Sequence, residues 1–130
     1  MGIYAAMPNL LHLGDIALVP GYYVGKLWPN SSGVSDVAGF FHVLDLSFDM
    51  PLSLPGRNDP RIFSFYADLT YNDGALGADH DWSHSTLGVS TSFSMGSAAI
   101  TPFLRYQISM DDSVNNENEV WTGISLSMNF

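Results

Sequence analysis

The feature that most constrains this chain is an alternation of period two that runs through most of its length. A strand sends successive side chains to opposite faces, so each such stretch specifies a ribbon with two unlike surfaces. Residues 119–130 carry it most strictly: Val120, Thr122, Ile124, Leu126, Met128 and Phe130 fall on one face, and Glu119, Trp121, Gly123, Ser125, Ser127 and Asn129 on the other. Residues 40–50 set Phe40, His42, Leu44, Leu46, Phe48 and Met50 against Phe41, Val43, Asp45, Ser47 and Asp49, so both carboxylates share the second face. Residues 61–72 oppose Phe63, Phe65, Ala67, Leu69 and Tyr71 to Ile62, Ser64, Tyr66, Asp68, Thr70 and Asn72. In residues 83–95, Leu87, Val89, Thr91, Phe93 and Met95 face away from Gly88, Ser90, Ser92 and Ser94. Residues 100–110 separate Ile100, Pro102, Leu104, Tyr106, Ile108 and Met110 from Thr101, Phe103, Arg105, Gln107 and Ser109. A sixth stretch, residues 15–28, is rich in β-formers but contains Pro20, Gly21 and Gly25, and reads as a strand with a bulge or bend.

The pattern predicts an all-β, antiparallel, up-and-down arrangement of about six strands in a single domain over residues 1–130, with residues 1–13 a candidate partial strand. The 130 residues suffice for one domain, and 46% hydrophobic content argues against a disordered chain. Mean hydropathy is +0.11, and no run of about 18 uncharged apolar residues marks a membrane-crossing helix. Neither point excludes a membrane, because barrel strands hide their hydrophobicity in alternation. Thirteen acidic residues against four basic ones give a net charge of -9, which disfavours nucleic acid as a partner. With no cysteine, disulfides and Cys-based metal sites are ruled out. The first basic residue is Lys26, so residues 1–13 lack the charged start of a secretory signal. Two explanations fit an exported protein, a signal removed ahead of residue 1 or a chain that is the C-terminal portion of a longer reading frame, and the second is the expectation.

Two architectures fit the alternation. In a soluble sandwich or lipocalin-like binding module the apolar faces turn inward and the polar faces meet water. In a transmembrane barrel the apolar faces meet lipid and the polar faces surround the interior. Strand length favours the barrel, since the predicted strands run about 11 to 13 residues where soluble strands average five or six and a tilted membrane strand needs about 9 to 11. Phe40, Phe63, Tyr71, Phe93 and Tyr106 sit near strand ends, where amphipathic rings anchor at a membrane interface. The connections also alternate. Gly96-Ser97-Ala98-Ala99 is a short turn on the side where the chain ends, and residues 29–36, 72–82 and 111–118 are longer loops on the other side. The proline-containing segment 51–60 breaks this rule by placing ten residues on the short-turn side.

The terminal strand, with alternating Ile124, Leu126 and Met128 and a final Phe130, resembles the C-terminal signal of Gram-negative outer-membrane β-barrels. The phrases Gly21-Tyr22-Tyr23-Val24-Gly25 and Ala67-Asp68-Leu69-Thr70-Tyr71-Asn72-Asp73-Gly74, with the stretch from His80 to Ser92, are similar to the C-terminal half of porins of the TorF type. That resemblance implies a bacterial outer-membrane barrel or its C-terminal part, passing small polar solutes or ions by passive diffusion. It implies lipid and the barrel-assembly machinery as partners, with Ile124, Leu126, Met128 and Phe130 as the assembly signal. Six strands are too few to close a membrane barrel, so upstream strands or other copies of the chain are expected at its edges.

The polar faces supply the candidate pore lining: Asp45, Asp49, Asp68, Gln107 and Glu119, with Arg105 as the basic member. An acidic excess favours cations, and opposite charges across a narrow lumen orient polar solutes. The alternative is that Arg105 pairs with Asp68 or Asp45 and plugs a small barrel. The cluster Asp79-His80-Asp81-Trp82-Ser83-His84, expected on an outer loop, holds metal-ligand types, but their spacing is unspecific and no metal or other cofactor is expected. Asp111, Asp112, Glu117 and Glu119 lack the spacing of a calcium-binding loop. An outer-membrane hydrolase is a weaker alternative. Asp81, His84 and Ser85 offer the residue types, but strand neighbours point apart and no G-x-S-x-G elbow occurs, so the chain is not expected to be an enzyme.

Overall fold

The computed structural model describes residues 1–8, 10–28, 37–56 and 58–129. Nine strand segments form one antiparallel sheet: β1 (Gly2–Ala6), β2 (Leu11–Leu13), β3 (Ile16–Leu27), β4 (Gly39–Leu52), β5 (Arg61–Asp73), β6 (His80–Ser90), β7 (Phe93–Met95), β8 (Ala98–Ser109) and β9 (Glu119–Met128). Two pairs of segments are single strands that have been interrupted. β1 and β2 both pair with the same side of β3. β6 and β7 keep one register against β8, from Ser90↔Phe103 to Phe93↔Ile100. Between those pairs stands Pro102, which has no N–H to donate, and Thr91 and Ser92 turn to side-chain bonds instead. Thr91 Oγ1 donates to the Ile62 carbonyl at 2.7 Å, and the Ser92 and Thr101 hydroxyls lie 2.7 Å apart. The sheet is thus a meander in which each strand pairs with its neighbour in the chain, from β1 and β2 at one edge to β9 at the other.

The expected strand over residues 15–28 is present without its expected bulge. β3 runs in unbroken register with β4 from Leu18↔Phe48 to Leu27↔Gly39, with Pro20 opposite Leu46. The glycines there serve side-chain room. A Cβ at Gly21 would lie 2.5 Å from the Asp45 carboxylate and the Tyr4 hydroxyl, and one at Gly25 would lie 2.5 Å from the Phe41 ring. The bulge occurs in β6 instead, where Thr70 pairs with His84 but Tyr71 pairs with Trp82, leaving Ser83 as the extra residue. That one residue changes the phase of β6, so Trp82 shares a face with Tyr71 rather than with His84 and Thr86. The six expected strands correspond to β3, β4, β5, β6 with β7, β8 and β9, and residues 1–13 add the edge.

The turns separate into two rims. Residues 14–15 and 96–97 are two-residue connections in which Gly14 (φ 62) and Gly96 (φ 63) adopt the left-handed backbone such turns require. Because β4 extends through Leu52, the proline-containing connection on this rim shortens to residues 53–60 but stays long. On the opposite rim lie residues 74–79 and 110–118, tied together by the Asp79 N–H donating to Ser113 Oγ at 3.0 Å. The expected loop at 29–36 lies outside the described residues, as does Phe130.

Exposure is inverted relative to a soluble sheet. Ala75 is the one buried apolar side chain among the described residues, whereas Thr70, Ser83, Thr86 and Gln107 are buried to 8%, 2%, 5% and 7% exposure. The total accessible surface is 8882 Å², against about 6,800 Å² expected for a compact monomer of this mass. Among the described residues no second layer covers the apolar face: Leu44, Leu104, Leu126 and Met128 are 51%, 46%, 64% and 52% exposed.

Gly39 is the tightest backbone contact, since a Cβ there would collide with the backbone of Asp73, Gly74 and Ala75. Gly88, by contrast, would place a Cβ at ordinary distances of 3.5 to 3.7 Å. Gly39→Ala is expected to lower unfolding stability by about 1–3 kcal/mol, and Gly88→Ala to change it by less than about 0.5 kcal/mol. Urea titration of the refolded protein in detergent, followed by tryptophan fluorescence, checks both, and equal midpoints would refute this account of Gly39.

Candidate functional site

Register carries the polar face from a set of strands to a set of rows. Asp45 pairs with Asp68, Asp68 with Thr86, Thr86 with Gln107 and Gln107 with Glu119, so four of the six candidate lining residues stand in one cross-strand row. One step away the row Ser47, Tyr66, Gly88, Arg105 and Trp121 holds the basic residue. A further step gives Asp49, Ser64, Ser90, Phe103 and Gly123. Antiparallel pairing makes Asp45 and Asp68, which are distant in sequence, direct lateral neighbours, and it aligns Glu119 with them four strands along the same row.

Each carboxylate of this face has a neutral donor. Tyr4 Oη donates to Asp45 Oδ1 at 3.3 Å, the Thr86 N–H to Asp68 Oδ1 at 3.1 Å, Ser64 Oγ to Asp49 Oδ1 at 2.6 Å, and Trp121 Nε1 to Glu119 Oε2 at 2.9 Å. Neutral donors stabilise a carboxylate while leaving its charge in place. Arg105 follows a different course from the pairing considered above. Among the described residues no carboxylate lies within ion-pair distance of it, and its guanidinium carbon sits 5.2 Å from the centre of the Phe103 ring. The alternative in which Arg105 ties to Asp68 or Asp45 is therefore not the arrangement found. Beside it, Gly88 leaves a recess of about 130 Å³ edged by Ser47, Ser64, Tyr66, Ser90 and Arg105.

The same face shelters itself. Phe41 lies over Gly25, Tyr23 over Gly2, and Phe103 over Gly123, so bulky side chains lie flat against neighbouring strands that lack a Cβ. Such glycine and aromatic pairs let a sheet curl toward the face they occupy.

The apolar face has its own order. At the long-loop rim, Tyr22, His42, Tyr71 and Trp82 form a lateral line, with ring centres 6.1 Å apart for Tyr22 and His42, 6.3 Å for His42 and Tyr71, and 5.4 Å for Tyr71 and Trp82. The Tyr22 hydroxyl and His42 Nδ1 are hydrogen-bonded at 2.7 Å, so their polar atoms satisfy each other on this face. Lys26 Nζ lies 4.8 Å from the Phe40 ring and 5.8 Å from the Trp28 ring at the same level. Toward the other rim Phe48 and Phe65 stack at 5.0 Å, and Arg61 lies 4.2 Å over Phe93. Ser85, a polar residue in the apolar band, donates to the Asp68 carbonyl at 2.7 Å. Charged groups of this face fall at its ends: Lys26, Asp73 and His80 at one, Arg61 at the other.

The Asp79 to His84 cluster is largely strand rather than loop, because β6 begins at His80. Its two imidazoles do not converge. His80 Nδ1 bonds Asp73 Oδ1 at 2.6 Å, and His84 Nδ1 lies 2.8 Å from Ser83 Oγ. The serine and histidine contact contradicts the expectation that consecutive residues point apart, and the bulge at Ser83 is the reason. It forms no triad among the described residues. Ser83 is 2% exposed, and the Asp81 carboxylate accepts from the Trp82 N–H at 2.7 Å. Asp111 accepts from the Ser113 N–H and hydroxyl at 2.8 and 2.7 Å, a turn-capping arrangement.

Ile124, Leu126 and Met128 lie on β9, which among the described residues pairs with β8 alone and leaves its other edge open. All three are highly exposed, at 73%, 64% and 52%. Sequence reasoning did not single out Tyr4 or Trp121 as partners of the charged residues. Their proximity follows from register, and the only hint in the text of the chain is that each shares the polar phase of its strand.

No protein-family model, curated protein or solved structure matches this chain.

Asp45 and Asp68 stand directly opposite, a like-charge pair that costs up to about 1 kcal/mol. Asp45→Asn, which keeps an acceptor for Tyr4, is expected to raise the urea midpoint at low salt and to lose that gain near 1 M salt, where charges are screened within about 3 Å. A gain that persists unchanged in high salt would show that repulsion is not its cause.

Proposed function

We propose that this sheet is the wall of a transmembrane β-barrel in a Gram-negative outer membrane, and that the protein is a porin-like passive channel for small polar solutes or ions. The observation that carries this is the inverted exposure: hydroxyl and amide side chains are sheltered while Leu44, Leu104, Ile124 and Leu126 lie open. Water around such an apolar face would make the single sheet unstable, whereas hydrocarbon would cover it at no cost.

Dimensions support the reading. From Phe40 to Met50 the apolar side of β4 extends about 34 Å along the strand, which a tilt near 45° reduces to about 24 Å, close to the apolar band of outer-membrane barrels. Its two ends carry the Tyr22, His42, Tyr71 and Trp82 line and the Phe48 and Phe65 pair, where aromatic belts are favoured. Lys26 and Arg61 sit at those ends, where long basic side chains reach the headgroups. The acidic row then faces the aqueous interior and favours cations.

In this reading the open edges need partners, because unpaired backbone groups in lipid are costly. β1 and β9 run in the same direction, so an antiparallel closure takes an odd number of further strands between them. The exposed β9 is the strand that the assembly machinery would read, with lipid covering its apolar side.

In planar bilayers the protein is expected to conduct, with potassium more permeant than chloride. Asp68→Lys should shift the reversal potential toward anion preference, because it replaces a negative member of the row by a positive one. A protein that inserts yet never conducts would rule out the channel. A second experiment tests orientation. In variants that keep a single tryptophan, Trp82 is expected to be quenched by brominated lipid, and Trp121 by aqueous acrylamide but not by the lipid. A protein that is monomeric and soluble without detergent, with neither tryptophan reached by lipid, contradicts the membrane reading.

A further inference from the structure

The geometry points to a headgroup site at the short-turn rim for a phospholipid that carries a phosphodiester and a primary ammonium group. This inference rests on the membrane reading and names the kind of lipid. The site lies where the sheet splits. Rungs between β5 and β6 end at Ser64↔Ser90, and among the described residues β7 continues against β8 alone. Beyond that point side chains bridge the gap. Thr91 Oγ1 donates to the Ile62 carbonyl and Arg61 Nη1 to the Ser92 carbonyl, both at 2.7 Å. The split opens a cavity of about 510 Å³ lined by Asp49, Pro60, Arg61, Ile62, Ser64 and Ser92. Residues of both faces therefore meet in one space, Asp49 and Ser64 from the polar phase and Arg61 from the apolar one.

The two charges of this cavity do not neutralise each other, since Arg61 and Asp49 form no ion pair. Arg61 is held in place, its guanidinium carbon 4.2 Å from the centre of the Phe93 ring and one N–H engaged by Ser92. Its remaining donors form a fork that matches two phosphate oxygens. Asp49 Oδ1 accepts from Ser64 Oγ at 2.6 Å, which leaves its charge available to an ammonium group that can donate. An anion alone would be repelled by Asp49, and a cation alone by Arg61. A phosphate and a primary ammonium joined by a short carbon link answer both, whereas a trimethylated ammonium has no N–H to give. The rest of the molecule is indicated by the apolar face beside the split. There Phe63, Val89, Thr91, Pro102 and Leu104 edge a groove of about 270 Å³, which takes an acyl chain leaving the Arg61 end. In the membrane reading Arg61 stands at the level of the headgroups and this groove at the level of the hydrocarbon.

Native mass spectrometry of the detergent-solubilised full chain tests this with short-chain phospholipids of equal acyl length that bear ethanolamine, choline or glycerol heads. The ethanolamine lipid is expected to be retained about threefold more than either of the others, the scale of one solvent-exposed charge contact. Arg61→Gln and Asp49→Asn should each bring the lipids toward equal retention, and Arg61→Lys, which keeps the charge without the fork, should hold part of the preference. Far-ultraviolet circular dichroism first establishes that each variant keeps its β structure, and the unmodified protein alone decides whether the preference exists. Glycerophosphoethanolamine, the same head without acyl chains, is expected to leave the bound lipid in place at equal concentration. Displacement there would assign the cavity to a soluble ligand and overturn the lipid site. Equal retention of all the lipids, or a preference that survives both substitutions, would overturn the site and leave the membrane reading standing. A chain that stays monomeric in water without detergent and retains none of the lipids would remove the site and the membrane reading together.

Discussion

A lone sheet must satisfy its backbone strand by strand and has no second layer in which to hide side chains. Everything else in this structure follows from that constraint. The hydrogen-bond ladder runs unbroken from the β1 edge to β9 except where a proline or a bulge interrupts it, and each interruption is repaired locally. Pro102 removes one donor, and the hydroxyls of Thr91, Ser92 and Thr101 take up neighbouring groups. Ser83 adds one residue, and its hydroxyl bonds to His84. Among the described residues no buried side-chain polar atom lacks a partner. Backbone pairing among the described residues stops at the sheet's two edges, β1 with β2 and β9, and the side chains of the two faces determine what medium the sheet needs.

The two faces solve that problem in opposite ways. On the polar face, rings lie across glycines of adjacent strands, so side chains cover one another without a packed core. On the other face no such covering exists among the described residues, and leucine and isoleucine side chains remain open between the aromatic groups near its two ends. A water-soluble domain buries the second kind of surface and exposes the first. Here the order is reversed, which makes the surrounding medium part of the structure in the proposed membrane setting.

Register converts this two-faced sheet into a charge pattern. Asp45, Asp68, Gln107 and Glu119 come from four strands and one row, while Arg105 and Asp49 fall in the rows beyond. A slip of one residue at any ladder would move a whole set to the other face. The bulge in β6 is such a change of phase used locally: it brings Trp82 into line with Tyr71 while His84 and Thr86 keep the polar phase.

By itself the sequence determined the strands and their two faces, because period-two alternation is a local property that any pairing must respect. The apolar and polar sides of β4, β5, β8 and β9 can be read from the chain, as can the short turn at Gly96. What only the tertiary structure decided was which residues meet. The straight run of β3 through Pro20 and Gly25 depends on Asp45 and Phe41 arriving from β4 to fill the space over Gly21 and Gly25. The extra residue Ser83, and an Arg105 guanidinium with no carboxylate partner among the described residues, depend on how neighbouring strands are aligned. Contacts across strands are set by register and curvature, which are cooperative properties of the assembled sheet and leave no mark within a single strand.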